Sequence, residues 1–204
     1  MTITISASSL ADYITCPAKV GFRISGGYGA ATEDMLLGTI VHSTIELCLT
    51  YDESVDYIKK QMSASGINNI ARLVTKAEKT FKNFYDIFKP MLSDKAVFEQ
   101  GFKINYKPGV QLIGRIDCID GSNIFDWKTN SVSKKNLEAD IQCILYSYAF
   151  RKLYKSNANV YMAFLSTGDL IRYTENITLK GILFSEVIPN YINAVTKAKS
   201  DLAY

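Results

Sequence analysis

The chain has 204 residues, with 23 Lys and Arg against 20 Asp and Glu, one His and four Cys. That length fits one domain, and 48% hydrophobic against 21% charged residues is the balance of a folded globular protein, not of a disordered tail or a disulfide-stapled miniprotein. A single His excludes sites built on two or more, such as HExxH or three-His zinc centres, while a net charge of +3 permits a nucleic-acid partner without requiring one.

The opening Met1-Thr-Ile-Thr-Ile-Ser6 has no basic start and no apolar run, so no secretion signal is expected. No stretch nears the ~18 consecutive apolar residues of a membrane span. Cys16, Cys48, Cys118 and Cys143 are scattered without a CxxC pair and are expected as reduced, mostly buried thiols in the cytoplasm. Ser6 or Ser8 caps a first helix carrying Leu10, Tyr13, Ile14 and Val20. Apolar residues in helical period predict helices over 34–50, 52–64 and 69–89, with Pro90 as a stop. Beyond residue 95, Ala96–Tyr106 and Val110–Asp120 are rich in strand formers and are separated by Lys107-Pro108-Gly109. A third short strand covers Asn123–Lys128. Helical period returns over 136–155, then come strands Val160–Ser166 and Leu170–Ile177 around Thr167-Gly168-Asp169, and a closing helix over 180–199. This order predicts an α/β fold in one domain over 1–204: a helical N-terminal part (1–90) and a mixed central sheet flanked by helices (95–204).

The segment Gly114-Arg-Ile-Asp-Cys-Ile-Asp-Gly-Ser-Asn-Ile-Phe-Asp-Trp-Lys128 carries the chemistry. Asp120-Gly-Ser-Asn123 suits a two-residue hairpin turn with Gly at its first central position. That register sets Cys118 opposite Phe125 and Asp117 opposite Asp126. Period-2 alternation then puts Asp117, Asp126 and Lys128 on one face, with Ile116, Cys118, Phe125 and Trp127 on the core face. Two carboxylates directly opposite each other repel. Lys128 and Arg115 can neutralise the pair, a divalent cation can do so with hard oxygen ligands, or the face is simply solvated. His42 lies one helical turn before Glu46, as a packing residue, a surface residue or a ligand. Gln142 and Tyr146 share one face of the helix that follows.

Ser8-Ser-Leu…Tyr13…Cys16-Pro17, Gly38…His42…Glu46, Glu99, Gly114-Arg-Ile-Asp117, Asp126-Trp-Lys128 and Gln142…Tyr146 occur in this order. The series runs from about residue 6 to about 150 and resembles the RecB-type branch of the PD-(D/E)XK nuclease superfamily, which includes the RecB nuclease domain and CRISPR-associated adaptation exonucleases. The resemblance implies a restriction-endonuclease-like core. It implies Asp117 and Asp126 as the metal-binding acids and Lys128 as the lysine of the D-x-K motif, the three forming the catalytic set. His42 is implied as an additional metal ligand, helped by the Trp127 carbonyl, with Glu99 as an outer contact. Gln142 and Tyr146 are implied near the site and touching DNA, with Arg115 beside them. Lys134 and Lys135, just past the Asp-Trp-Lys strand, either contact phosphates or start a solvated helix. Tyr13, Phe22 and Tyr28 either stack on unpaired bases or pack in the core.

Members of this branch with an iron–sulfur cluster pair an early cysteine with three late ones. Cys16 matches the early position, but no cysteine follows Cys143, so no cluster is expected and Cys16 reads as a small buried hydrophobe. No G-x-x-x-x-G-K-[ST] loop occurs, so any unwinding would come from a helicase or recombination partner. The implied activity is hydrolysis of DNA ends or single strands by an exonuclease using one or two Mg²⁺ or Mn²⁺ ions. The alternative is a nucleic-acid-binding accessory subunit that is active only within a larger complex.

Overall fold

Residues 2–27, 29, 32–67, 70–130 and 137–201 are described by a computed structural model. In chain order the elements are β1 (Ile3–Ile5), α1 (Ala7–Thr15), α2 (Lys19–Ile24), α3 (Glu33–Glu46), α4 (Tyr51–Ala64), α5 (Ile70–Asn83), β2 (Val97–Lys107), β3 (Val110–Asp120), β4 (Asn123–Lys128), α6 (Leu137–Tyr154), β5 (Asn159–Phe164), β6 (Asp169–Arg172), α7 (Ile177–Ile182) and α8 (Ile188–Asp201). A single π turn over Phe84–Phe88 extends α5, and a second over Leu183–Val187 joins α7 to α8. The strands make one mixed sheet flanked by helices, the α/β architecture expected from the sequence.

The differences from the expected elements have local causes. Ser6, not Ser8, caps α1, and its hydroxyl accepts the Ser9 N–H. The expected helix through Val20 is two helices, because Cys16 takes an extended conformation before Pro17. Cys16 consequently lies outside the helix and is exposed, not buried; Cys48 is exposed as well. The second strand of the last pair ends at Arg172, and Ile177 already opens α7 under an Asn176 cap. β1 was not expected: its three residues give almost no periodicity, yet Ile3 and Ile5 are buried and pair parallel to β3.

β3 organises the sheet. One of its edges pairs antiparallel with β2 along nearly its full length. The other edge is shared, with β1 alongside Val110–Leu112 and β4 alongside Cys118–Asp120. β4 runs parallel to β5 over all six of its residues, from Asn123↔Asn159 to Lys128↔Phe164. The β3–β4 hairpin turns at Gly121, whose φ of +60° a side chain would disfavour. Its register is the expected one from Asp120↔Asn123 to Cys118↔Phe125 and stops there. Asp117 and Asp126 are therefore not a ladder pair, because the two strands part before reaching them.

A second irregularity lies across β3. Regular alternation would put Phe98, Phe102 and Ile104 on one face. Phe102 and Ile104 instead pack with Tyr146 and Phe150 of α6, while Phe98 packs with the layer built by α3, α4 and α5. Between them Glu99 takes a left-handed φ of +52°. Register sets Glu99 opposite Asp117, where the β2–β3 ladder lapses between Phe98↔Cys118 and Gln100↔Ile116. β3 changes face at the same level: Ile116 belongs to the α6 side and Cys118 to the α3 side. Ile116 and Cys118 thus do not share the single core face that simple alternation predicts.

Two layers cover the sheet. On one side Leu37, Val41, Ile58, Leu73, Phe81, Phe84 and Phe88 bury Phe125 and Trp127. On the other, α6 packs on Ile116, Ile124 and Val160, and α1, α2 and α8 close the end near β1. Among the described residues no helix is long and apolar enough to cross a membrane.

Gly114 sits under the Phe102 ring, which in turn meets Tyr146 edge to face with centroids 6.2 Å apart. A Cβ at position 114 would lie 2.4 Å from that ring. Gly114→Ala is therefore expected to destabilise the protein by about 1–3 kcal/mol. The cost should fall when Phe102 is also cut to Leu, as read from denaturant unfolding of the double-mutant cycle. Equal costs in both backgrounds would contradict the contact.

Candidate active site

The parting of β3 and β4 leaves the Trp127 backbone without a ladder partner on its β3 side. Buried N–H and C=O groups are almost always paired, and here two side chains do it. The Trp127 N–H donates to Asp117 Oδ2 at 2.8 Å. The Trp127 carbonyl lies 3.0 Å from His42 Nε2. A carbonyl oxygen only accepts, so Nε2 carries a proton and Nδ1 faces the other way. Nδ1 points to two carboxylates, 3.5 Å from Glu99 Oε1 and 3.6 Å from Asp117 Oδ1.

Each of these side chains is set by its element. His42 lies on α3 one turn beyond Gly38, which faces Thr129 just past β4. Glu99 and Asp117 come from the two strands that change face. Among the described residues, the ligand atoms of His42, Glu99 and Asp117 form a group lying within 4.8 Å of one another. Glu99, expected as an outer contact, thus stands as close to His42 as Asp117 does.

Asp126 and Lys128 point to the α6 side. Asp126 is fully buried, with Lys128 Nζ 2.7 Å from its Oδ2. Lys128 also donates to Gln142 Oε1 at 2.7 Å, and Gln142 Nε2 donates to the Tyr146 hydroxyl at 3.2 Å. Gln142 and Tyr146 therefore form a chain that fixes the ammonium. Arg115 lies 3.5 Å from Glu99 Oε2, so it faces Glu99 and not the Asp117–Asp126 pair.

The charges shift one another. Burial pushes the His42 imidazolium down, but the hydrogen bonds and charges of Asp117 and Glu99 outweigh it and hold its pKa up to about 10. Burial raises the Asp126 carboxyl, against the pull of Lys128. For Lys128 burial acts downward, and the Asp126 charge overcomes it, leaving the ammonium above its ordinary range. Burial lifts the Tyr146 hydroxyl well above 10, so it stays protonated.

The remaining expected residues divide. Tyr13 packs edge to face on Tyr191 in the core, with centroids 5.7 Å apart. Phe22 is exposed. Tyr28, Lys134 and Lys135 lie outside the described residues. The Trp127 N–H has no motif of its own in the sequence; only the end of the β3–β4 ladder shows that Asp117 must serve it.

The residues suit a hard divalent cation. One imidazole nitrogen and two carboxylates converge, and the second ring nitrogen of His42 is anchored on a backbone carbonyl, which orients a metal-binding imidazole. The profile of the PD-(D/E)XK nuclease superfamily matches residues 4–180. No curated protein matches the chain. Among solved structures, a crystal structure of an Eubacterium rectale protein with a provisional exonuclease designation superposes with a TM-score of 0.69. It is 16% identical, and the match covers 96% of this chain and 82% of that one, a likeness of fold alone.

A raised His42 pKa stabilises the metal-free protein most below about 6.5, and that stability is lost as pH rises through about 10. Melting in a chelator from pH 6.5 to 10 should show wild type losing more stability than His42→Gln. Parallel curves would contradict the His42–carboxylate contact.

Proposed function

Since the chain belongs to the PD-(D/E)XK nuclease superfamily, we propose that it is a divalent-metal-dependent deoxyribonuclease of the RecB type, working in the cytoplasm as one nuclease domain that trims DNA ends or single strands. The observation that carries this reading is the convergence of His42, Glu99 and Asp117 beside a lysine held at 2.7 Å by both Asp126 and Gln142. His42, Glu99 and Asp117 would hold Mg²⁺ or Mn²⁺, with Asp126 as a neighbouring carboxylate; the Trp127 carbonyl, across the imidazole from Nδ1, orients His42 and is not itself a ligand. A cation there would lower the pKa of a bound water and polarise the phosphodiester.

The protein's own groups supply the rest. Lys128 is kept charged by Asp126 and is aimed by Gln142, so it offers a preorganised positive charge to the phosphate oxygens as they gain charge. Tyr146, packed against Phe102, accepts from Gln142 Nε2 and so turns the Gln142 amide oxygen toward the ammonium. Gln142 and Tyr146 thus act on DNA through Lys128. Arg115, exposed beside Glu99, is left to contact a neighbouring phosphate. Unwinding, where the substrate needs it, would fall to a helicase or recombination partner.

Purified protein should release nucleotides from end-labelled DNA only when Mg²⁺ or Mn²⁺ is added. Asp117→Asn and Lys128→Gln should each lower the rate by about 10²–10³-fold, and Lys128→Gln should also lower the melting temperature, because it leaves the buried Asp126 carboxyl without its cation. Metal-dependent cleavage that survives Asp117→Asn would refute the site. DNA binding without turnover under either metal would instead favour the accessory-subunit reading.

A further inference from the structure

A cavity of about 280 Å³ opens at the far end of β5, between the C-terminal half of α6, the end of β6 and the start of α7. Its charged lining is Arg151, Arg172, Glu175 and Lys180, from three stretches of chain: α6, the end of β6 with the link after it, and α7. Glu175 is spent on Lys180, at 2.8 Å. Two guanidiniums therefore face the cavity uncompensated, a local charge of +2 in a chain whose total is only +3.

Arg172 is not a free surface arginine. Its Nη2 donates to Asn159 Oδ1 at 2.7 Å, and Asn159 Nδ2 donates to Asn123 Oδ1 at 3.1 Å. This chain of amides ties the guanidinium to the start of β4 and β5 and removes much of the entropy cost of using it. The Arg151 guanidinium has no hydrogen-bond or ion-pair partner among the described residues. Two half-buried tyrosines, Tyr148 and Tyr173, complete the wall; Tyr148 packs on Phe184 with centroids 4.9 Å apart and carries the Lys152 ammonium over its ring, 5.4 Å from the centroid, which a base would displace.

A planar guanidinium fork matches a phosphate, and a supported tyrosine ring matches a base. The volume is at the small end of ligand cavities, which run from about 300 to 1,000 Å³, so it suits one nucleotide and not a dinucleotide cofactor. Parallel pairing sets Asn159 level with Asn123, five residues from Lys128, or about 17 Å along the strand. The cavity is thus separate from the His42–Glu99–Asp117 group, but α6 covers both it and the Lys128 side chain. We propose that this cavity is a second nucleotide-binding site: Arg151 and Arg172 take a phosphate and Tyr148 and Tyr173 take its base, holding one nucleotide of the strand that reaches the reactive centre. The assignment to a strand rests on the nuclease reading; the phosphate-and-base chemistry does not, and it also fits a free mononucleotide.

The test is fluorescence anisotropy of a labelled oligodeoxythymidylate with the full chain in EDTA, beside calorimetric titration with thymidine monophosphate. Arg151→Ala/Arg172→Ala should weaken oligonucleotide binding about tenfold or more and lower the salt slope by about 0.7–1.4, one or two lost phosphate contacts. Arg172→Lys should recover only part of the affinity, because it loses the fork. Loss of thymidine monophosphate binding with unchanged oligonucleotide binding would show a free-nucleotide site and overturn the assignment to the strand. No change in either ligand would overturn the site, provided the variant melts like wild type; if it does not, Arg151→Ala alone, at an exposed helix position, gives the same readout. Metal-activated cleavage separates the two readings. Cleavage that needs Asp117 but binding that ignores Arg151 and Arg172 sinks only this inference. Arginine-dependent binding without cleavage sinks only the nuclease reading.

Discussion

The end of the β3–β4 ladder at Cys118↔Phe125 is the constraint on which the site depends. Past that pair β4 stays bound to β5 on one edge and is unsupported on the other. A buried, unpaired N–H costs about 1–3 kcal/mol, so the Trp127 amide needs an acceptor where the strand is gone. Asp117 provides it, and the Trp127 carbonyl receives His42 in the same way. The Trp127 side chain anchors the whole arrangement. It is 2% exposed, stacked on Phe125 and boxed by Phe84 and Phe88. An aromatic core on one side of the sheet therefore fixes the backbone atoms that hold two ionisable groups at its split edge.

Charge follows from this geometry. The group at the split holds two acids and one imidazole, and the metal-free protein compensates with a proton on His42. On the α6 side Asp126 and Gln142 hold the Lys128 ammonium and Tyr146 accepts from Gln142, while Asp126 Oδ1 is buried without a hydrogen-bond partner among the described residues. One half thus shares a proton between an imidazole and two acids, and the other keeps a fixed positive charge. The two halves meet through the peptide groups on either side of Trp127.

Much of this was legible from residues 114–128. The Gly121 turn fixed the register, and alternation along β4 correctly separated Asp126 and Lys128 from Phe125 and Trp127. Extending that register to Asp117 and Asp126 failed, because pattern arguments assume that a strand pair continues. The same assumption hid the role of Glu99: a left-handed residue inside a strand has no sequence signature unless it is Gly or Asn. Gln142 and Tyr146 were located by their helical spacing, but contact with Lys128 depends on how α6 crosses the sheet, which spacing does not set. β1 escaped because three residues carry too little pattern, although the alternation of Thr2-Ile3-Thr4-Ile5 was there to be read.

The chemistry of the site turns on what His42, Glu99 and Asp117 hold. Anomalous diffraction from crystals grown with Mn²⁺ and a short DNA strand tests it most directly. The result expected is a manganese peak bonded to His42 Nδ1 and to the carboxylates of Glu99 and Asp117, with His42 Nε2 still on the Trp127 carbonyl. A peak placed elsewhere, or none at saturating metal with the strand bound, would contradict it.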